Sequence, residues 1–340
     1  MSVKSNVLKT LEERRGSYFS GEQLAEELQV SRAAVWKAVR QLEKEGYGIL
    51  ASPNRGYCLA EETDLLSEEG IRMHLPPECR EINVHVMQET ASTNTVAKQA
   101  AAQGAQDGSL FVAERQTAGR GRRGRSFFCV PGGAISMSLL IRPELAAEDA
   151  VFLTTAACVA VHRAIRAATG IVTDIKWVND LYYQGKKVCG ILTEAVTNCE
   201  TGIVDCVILG IGINFNIAPE QFPEELRDVA GALYDGIRRV PATRNRLIAE
   251  AVSQLTRVMA DLGERAFLEE YREHSMLIGK HILVLSQRDP EEAVAVGISG
   301  NGGLVIELPD GSRRVLNTGE VSVREQGSEK AEYEKKVEKT

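Results

Sequence analysis

The chain has 340 residues, 44% apolar and 26% charged, with a formal net charge of −7. That length accommodates two or three domains, and that composition excludes disordered, collagenous and disulfide-stapled classes. No apolar run reaches the roughly 18 residues of a membrane span, the N-terminus has no apolar signal core, and the seven scattered cysteines read as reduced thiols, so a cytoplasmic protein without a membrane partner is expected.

The first sixty residues read as three helices and a hairpin. Val7, Leu8 and Leu11 place a helix over 5–15. Ser20 stands three residues before Gln23, a capping-box spacing, with Phe19 and Leu24 flanking it as a hydrophobic staple. They open a short helix over 21–28. Ser31 caps a third helix in which Val35, Ala38, Val39 and Leu42 share one face and Arg32, Trp36, Lys37, Arg40 and Lys44 the other, until Gly46 stops it. A hairpin follows, turning at Pro53–Asn54, with Arg55 read as a plain turn residue. This order outlines a winged helix-turn-helix over 1–62. Its third helix, carrying Ser31, Arg32, Trp36, Lys37 and Arg40, is the one expected in the major groove.

Residues 63–275 read as a mixed α+β domain, because strands dominate and helices interrupt them unevenly. "EINVHVMQE" alternates as a strand, 92–102 is a helix stopped by Gly104, and "SLFVAER" and "GGAISMSLLIRP" are strands. A long apolar-striped helix over 148–168 ends at Gly170. "LYYQGKKVCGILTEA" turns at Gln184–Gly185 as a hairpin, and "DCVILGIGINFN" is apolar enough throughout for a buried central strand. Helices return over 243–262 and 264–273. Short strands in 276–324 outline a small SH3-like barrel. The charged segment 325–340 reads as a disordered tail.

Between two of the strands lies "TAGRGRRGR", residues 117–125, which concentrates four arginines in a chain that is acidic overall. Guanidinium forks match carboxylate and phosphate oxygens, and glycines let backbone N–H groups approach a ligand. The loop is a candidate clamp for a small anion; a solvated basic loop and an RGG-like RNA-binding segment are the competing readings. No Walker pattern is present, and no G-x-G-x-x-G opens a helix here.

Five motifs carry a resemblance. "STN" at 92–94, "QTAGRGRRGR" at 116–125, "KWVNDLYY" at 176–183, "GKKVCGIL" at 185–192 and "GIGINFN" at 210–216 resemble, in order, the signature set of the biotin protein ligases. The leading helix-turn-helix makes the chain similar to the bifunctional bacterial members that also repress biotin genes. The resemblance spans 6–324. It implies a class II synthetase-like catalytic domain that activates biotin with ATP to biotinyl-5′-AMP, then transfers biotin to a lysine of a biotin carboxyl carrier protein such as that of acetyl-CoA carboxylase. Mg²⁺ is implied through ATP, with protein ligands unknown, as is an adenylate-bound homodimer on operator DNA.

Carried over position by position, the resemblance assigns Ser92, Thr93, Asn94, Gln116, Arg120, Gly121, Arg122 and Lys187 to biotin. It assigns Arg122, Arg123, Lys176, Asn179, Asp180 and Asn214 to the adenylate or ATP, with Arg125 supporting loop order or nucleotide. Arg120, Lys187 and Asp180 are the implied catalytic set, Asp180 orienting or deprotonating the acceptor lysine. The Arg/Gly loop then becomes a cationic lid over a hydrolysable anhydride. The chain departs from the family at Val178, where proline is usual, at Phe127 for tryptophan, and at Cys129–Val130 for Ser–Pro. It also has no tryptophan in 223–236 to stack on adenine. A ligand-sensing transcription factor without turnover, and a lipoate or octanoate transferase of the same broad fold, are the alternatives.

Overall fold

The computed structural model describes residues 2–142, 150–197, 204–237, 240–285, 290–317 and 320–323. The start of the long helix expected from 148, and the tail at 325–340, lie outside these residues.

At the N-terminus, α1 (Val3–Glu13), α2 (Gly21–Glu27) and α3 (Arg32–Lys44) precede the hairpin β1 (Ile49–Ser52) and β2 (Gly56–Leu59). Helix α1 begins two residues before the expected start because Ser2 caps it, accepting the Ser5 N–H at 3.1 Å. The capping box at Ser20 and Gln23 forms in both directions, at 3.1 and 2.8 Å. Val7, Leu8, Leu11, Phe19, Leu24, Val35, Val39, Leu42 and Leu59 close one small core. The wing returns to it through Phe19 and Tyr57, whose backbones pair. Gly56 is required there: its φ is +96°, and a Cβ would stand 2.0 Å from the Phe19 carbonyl oxygen.

The apolar pattern gave no sign of α4 (Glu68–His74), whose single buried turn is too short to show a period. The middle of the chain then supplies a seven-stranded sheet from β3 (Val84–Thr90), β4 (Leu110–Gln116), β5 (Ala134–Ile141), β6 (Asp174–Lys176), β7 (Asp180–Tyr183), β8 (Lys186–Thr197) and β9 (Val204–Asn214). Its order is β3-β4-β5-β9-β8-β7-β6, with β3 and β4 parallel and every other neighbour antiparallel. The apolar strand expected at the centre is there, as β9.

Strand alternation decides which face does what. Ile211 and Ile213 of β9 and Ile135 and Leu139 of β5 face the large core built with α6 (Ala150–Thr169) and α7 (Arg244–Ala260). On the other face Leu140, Cys206 and Ile208 pack with Phe111 under α5 (Thr93–Ala102). Further along that second face β9 carries Gly210, Gly212 and Asn214. Opposite them the register sets Ser138 and Leu192, then Ser136 and Gly190. Small residues leave a floor there instead of a core.

Helix α6 changes one expectation. Its Val151–Thr169 stretch is long and apolar enough to cross a membrane by composition, though interrupted by charge; 78% of that window is buried inside the fold, as in a core helix. Helix α8 spans Phe267–Glu273 and starts later than 264, since Arg265 takes a left-handed φ of 58°. The last five strands, β10 (His281–Leu285) to β14 (Glu320–Val323), form an antiparallel sheet in the order β13-β12-β11-β10-β14. β11 is Glu291–Ile298, β12 Leu304–Glu307 and β13 Arg313–Leu316. Their inner residues Ile282, Ala295, Leu304 and Ile306 join the large core. Among the described residues the six cysteines are free thiols, five of them buried.

Candidate active site

Gly190, Gly210 and Gly212 of that floor line a cavity of about 570 Å³. Ser92, Thr93, Asn94, Gln116, Arg120, Gly121, Arg122, Arg123, Lys176, Asn179, Asp180, Lys187 and Asn214 all line it, together with Arg125. Five separate segments of chain therefore meet at one place.

The first wall is the start of α5. Ser92 holds the N-cap position without a cap bond from its side chain; instead Gln116 Oε1 accepts the Thr93 N–H at 2.7 Å. The Ser138 hydroxyl lies 2.7 Å from Thr93 Oγ1 and 2.6 Å from Asn94 Oδ1, so its one proton serves either partner. Asn94 Nδ2 donates to Glu194 at 2.6 Å, and Lys98, one turn further along α5, donates to the other carboxylate oxygen at 2.6 Å. Burial raises the Glu194 carboxyl, but these two hydrogen bonds and the charges of Lys98 and Arg120 outweigh it, and the net shift is downward. Gly210 gives Asn94 its place: a Cβ there would stand 2.1 Å from Asn94 Oδ1. The motif reading missed Glu194, Lys98 and Ser138. Lys98 is four residues past Asn94, a helical neighbour, whereas Glu194 and Ser138 arrive through sheet pairing alone.

The Arg/Gly loop is folded. Arg120 bridges to Ser126, the Gly121 N–H donates to the Arg125 carbonyl at 2.6 Å, and residues 122–124 make one tight helical turn. Arg123 takes a left-handed φ of 56°, beside Gly124 at +76°. Arg122 reaches across the cavity and donates to Asn179 Oδ1 at 3.2 Å, while Asn179 Nδ2 donates to the Ile191 carbonyl at 2.8 Å. Phe127, at the usual tryptophan position, lays its ring over Gly212, where a Cβ would come within 2.5 Å of it.

The third wall depends on an irregularity. Leu181 pairs with Cys189 but Tyr182 with Lys187, leaving Val188 as a bulge. Residues 187 and 190 would face opposite ways in a regular strand; the bulge brings them to one side. Lys187 Nζ consequently sits 2.5 Å from Asp180 Oδ1, as an ion pair outside hydrogen-bond alignment. The Lys187 backbone is clasped by the Val229 carbonyl and the Gly231 N–H, each at 2.9 Å, and Asn214 Nδ2 donates to the Gly231 carbonyl at 2.8 Å. Asn214 thus anchors the neighbouring segment as well as lining the cavity. Phe222, Leu226 and Val229 supply apolar lining where tryptophan is absent. Trp177, joined to Val178 by a cis peptide, donates from Nε1 to the Gly302 carbonyl at 2.9 Å and ties the cavity wall to the C-terminal sheet.

On α3, Arg32, Trp36, Lys37 and Arg40 are exposed along one side, Trp36 at 56%, with the Arg40 guanidinium 5.7 Å from its ring centre. Ser31 caps the helix, accepting the Ala34 N–H at 3.2 Å. Arg55 does more than turn the wing, since its guanidinium stacks 3.9 Å over the Tyr18 ring.

The cavity gathers arginines and amides suited to an anionic ligand, and α3 separately presents an exposed basic face. Family comparisons agree region by region. Residues 3–58 match the HTH domain, 86–214 the Biotin/lipoate A/B protein ligase family, and 277–324 the Biotin protein ligase C terminal domain. The chain is 33% identical over 324 residues to the bifunctional ligase/repressor BirA of Bacillus spizizenii, covering 93% of this chain and 97% of that one. It is 29% identical to the Escherichia coli BirA over 91% of this chain and 94% of that one. The structure of the biotin protein ligase of Aquifex aeolicus in complex with biotin and ATP superposes with a TM-score of 0.61 at 28% identity, over 72% of this chain and 99% of that one. The chain belongs to the family of bifunctional biotin ligase/repressors.

Proposed function

We propose that this chain joins biotin to ATP in the cavity, releasing pyrophosphate and forming biotinyl-5′-AMP, then delivers biotin to a lysine of a biotin carboxyl carrier domain. The adenylate-loaded form pairs as a homodimer and represses biotin genes by binding a two-fold operator. In this reading the protein is cytoplasmic, and 1–62, 63–275 and 276–324 are its DNA-binding, catalytic and SH3-like domains. The observation that carries the proposal is the meeting of residues from all five motifs in one cavity of about 570 Å³.

Ser92, Thr93, Asn94 and Gln116 offer biotin a hydrogen-bonding wall in fixed orientation, which lowers the ordering cost of binding. Arg120, Gly121 and Arg122 face the carboxylate and α-phosphate, two anions that repel unless neutralised. Cations already held in place also stabilise charge that grows on phosphorus during transfer. Arg123, Lys176, Asn179 and Asn214 take the nucleotide, with Phe222 and Leu226 as apolar surface for the base. Asp180 is the sole carboxylate among the described lining residues. That fits a Mg²⁺ that arrives on ATP and keeps water and phosphate oxygens as most of its ligands. The same carboxylate, exchanging Lys187 for the acceptor lysine, orients that amine and receives its proton.

Incubation of the full chain with biotin, ATP, Mg²⁺ and a carrier domain should give an avidin-reactive carrier; absence of product overturns the ligase reading and leaves a ligand-sensing repressor. Arg120→Ala should slow pyrophosphate release at least tenfold, about 1.4 kcal/mol of barrier, and leak free adenylate. Operator binding should weaken as salt rises, because each phosphate contact releases a counterion. A flat salt dependence would remove α3 from the DNA interface.

A further inference from the structure

Outside the cavity, where α6 and α8 meet the approach to β6, three metal-competent side chains converge: His162, Glu270 and His274. Their donor atoms all lie within 4.8 Å of one another. His162 is fully buried, and its Nε2 has no hydrogen-bond partner. We propose that these three side chains form a binding site for a divalent transition ion of the zinc class.

The donor set and its supports fit that ion. Two imidazole nitrogens and one carboxylate oxygen are ordinary zinc ligands, with a fourth position left for water. Two of the three side chains also have a second partner on the far side, as metal ligands commonly do. His162 Nδ1 lies 2.9 Å from the Thr173 hydroxyl; an Nδ1–H donating there leaves the Nε2 lone pair for the ion. Arg163 holds Glu270 Oε2 from two nitrogens, at 2.7 and 2.6 Å, which leaves Oε1 facing His162 Nε2 at 3.9 Å. The two imidazole rings lie 4.2 Å apart, centre to centre.

An ion can reach the site. Glu270 and His274 line a surface concavity whose rim adds Glu269 and Glu273, with Arg166 as the one cation among its described lining residues and Arg163 paired to Glu270 beside it. Both ligands are only partly buried, so they can close toward the fixed His162 to metal–ligand distances of about 2.0–2.2 Å. Magnesium and calcium prefer oxygen-only shells and should not compete. The His274 carbonyl accepts the Ile175 N–H at 2.8 Å, and Met276 returns a bond to the Ile175 carbonyl at 3.0 Å. A bound ion would therefore pin α6 and α8 to the strand that leads into Lys176 and Trp177 in the cavity wall.

The test uses the chelator-stripped full-length protein without nucleotide, titrated with Zn²⁺, and with Co²⁺ as a spectroscopic probe. One equivalent should bind saturably, Co²⁺ should give the visible absorption of a nitrogen-and-oxygen site, and Zn²⁺ but not Mg²⁺ should raise the thermal midpoint. His274→Ala and Glu270→Gln should each weaken binding at least tenfold, while His85→Ala, which removes an exposed imidazole elsewhere, should leave it unchanged. Circular dichroism of each apo variant separates lost binding from lost folding. No saturable binding to the parent chain, equal affinity in folded His274→Ala and Glu270→Gln proteins, or an equal loss in His85→Ala overturns the site.

Discussion

At position 210 a missing side chain is what the site needs. Asn94 cannot yield to a Cβ at 2.1 Å without giving up Glu194 or Ser138. Gly210→Ala is expected to weaken biotin binding at least tenfold, about 1.4 kcal/mol, by calorimetry, with a cooperative unfolding transition retained. Unchanged affinity would take Asn94 out of the biotin wall. Glu194 makes a pH prediction. Its folded pKa is depressed, so its contribution is complete above the unfolded value near 4.3 and is lost as pH falls through the lower folded value. Glu194→Gln should therefore flatten the acid limb of a stability–pH curve below about pH 4.5 and lower the neutral plateau by a constant amount. Asp180→Asn breaks the pair with Lys187. Transfer from preformed adenylate to the carrier should slow in single-turnover measurements, and an unaltered rate would remove Asp180 from that step.

Among the elements, α2 is the one whose stability rests most on a local device. Its seven residues bury only Leu24 and Ala25, and both directions of its capping box are made. Ser20→Ala should cost about 1 kcal/mol, read by hydrogen exchange in the first module. Operator affinity should fall while adenylate formation keeps its rate. The Arg/Gly loop carries the contrasting lesson. Its composition suggests flexibility, yet the Arg120–Ser126 bridge and the 122–124 turn give it a shape of its own. Glycine and arginine content states what the backbone can do; the bonds to neighbouring strands decide what it does. The bulge at Val188 makes the same point, since it converts a lysine in a hairpin into a wall of the cavity.

Across the whole molecule Arg244 is the junction. It is 1% exposed, and it donates to Asp64 Oδ2, the Asp64 carbonyl, both oxygens of Glu114 and the Ala134 carbonyl. Glu114 in turn accepts the Gly132 N–H, near the end of the segment that leaves the Arg/Gly loop. Next to Arg244, Asn245 accepts the Ser67 N–H, and the Tyr47 hydroxyl of the DNA-binding module meets the Ser67 side chain. Arg244→Met leaves the largely buried carboxylates of Asp64 and Glu114 without their guanidinium partner and should cost about 3–5 kcal/mol in chemical denaturation. A loss under about 1 kcal/mol would mean the junction is not a structural tie.

The sequence by itself determined what short-range chemistry encodes: the caps at Ser20 and Ser31, the helical stripes, the apolar run of β9, and the order of motifs that marks the family. Contacts between distant segments were decided only by the tertiary structure. Glu194 joins Asn94 across 100 residues, Arg244 joins Glu114 across 130, and His162 comes to lie against Glu270 and His274. The physical reason is that burial and polar pairing belong to packed surfaces, and packing brings together residues whose own neighbours along the chain carry no trace of the partnership.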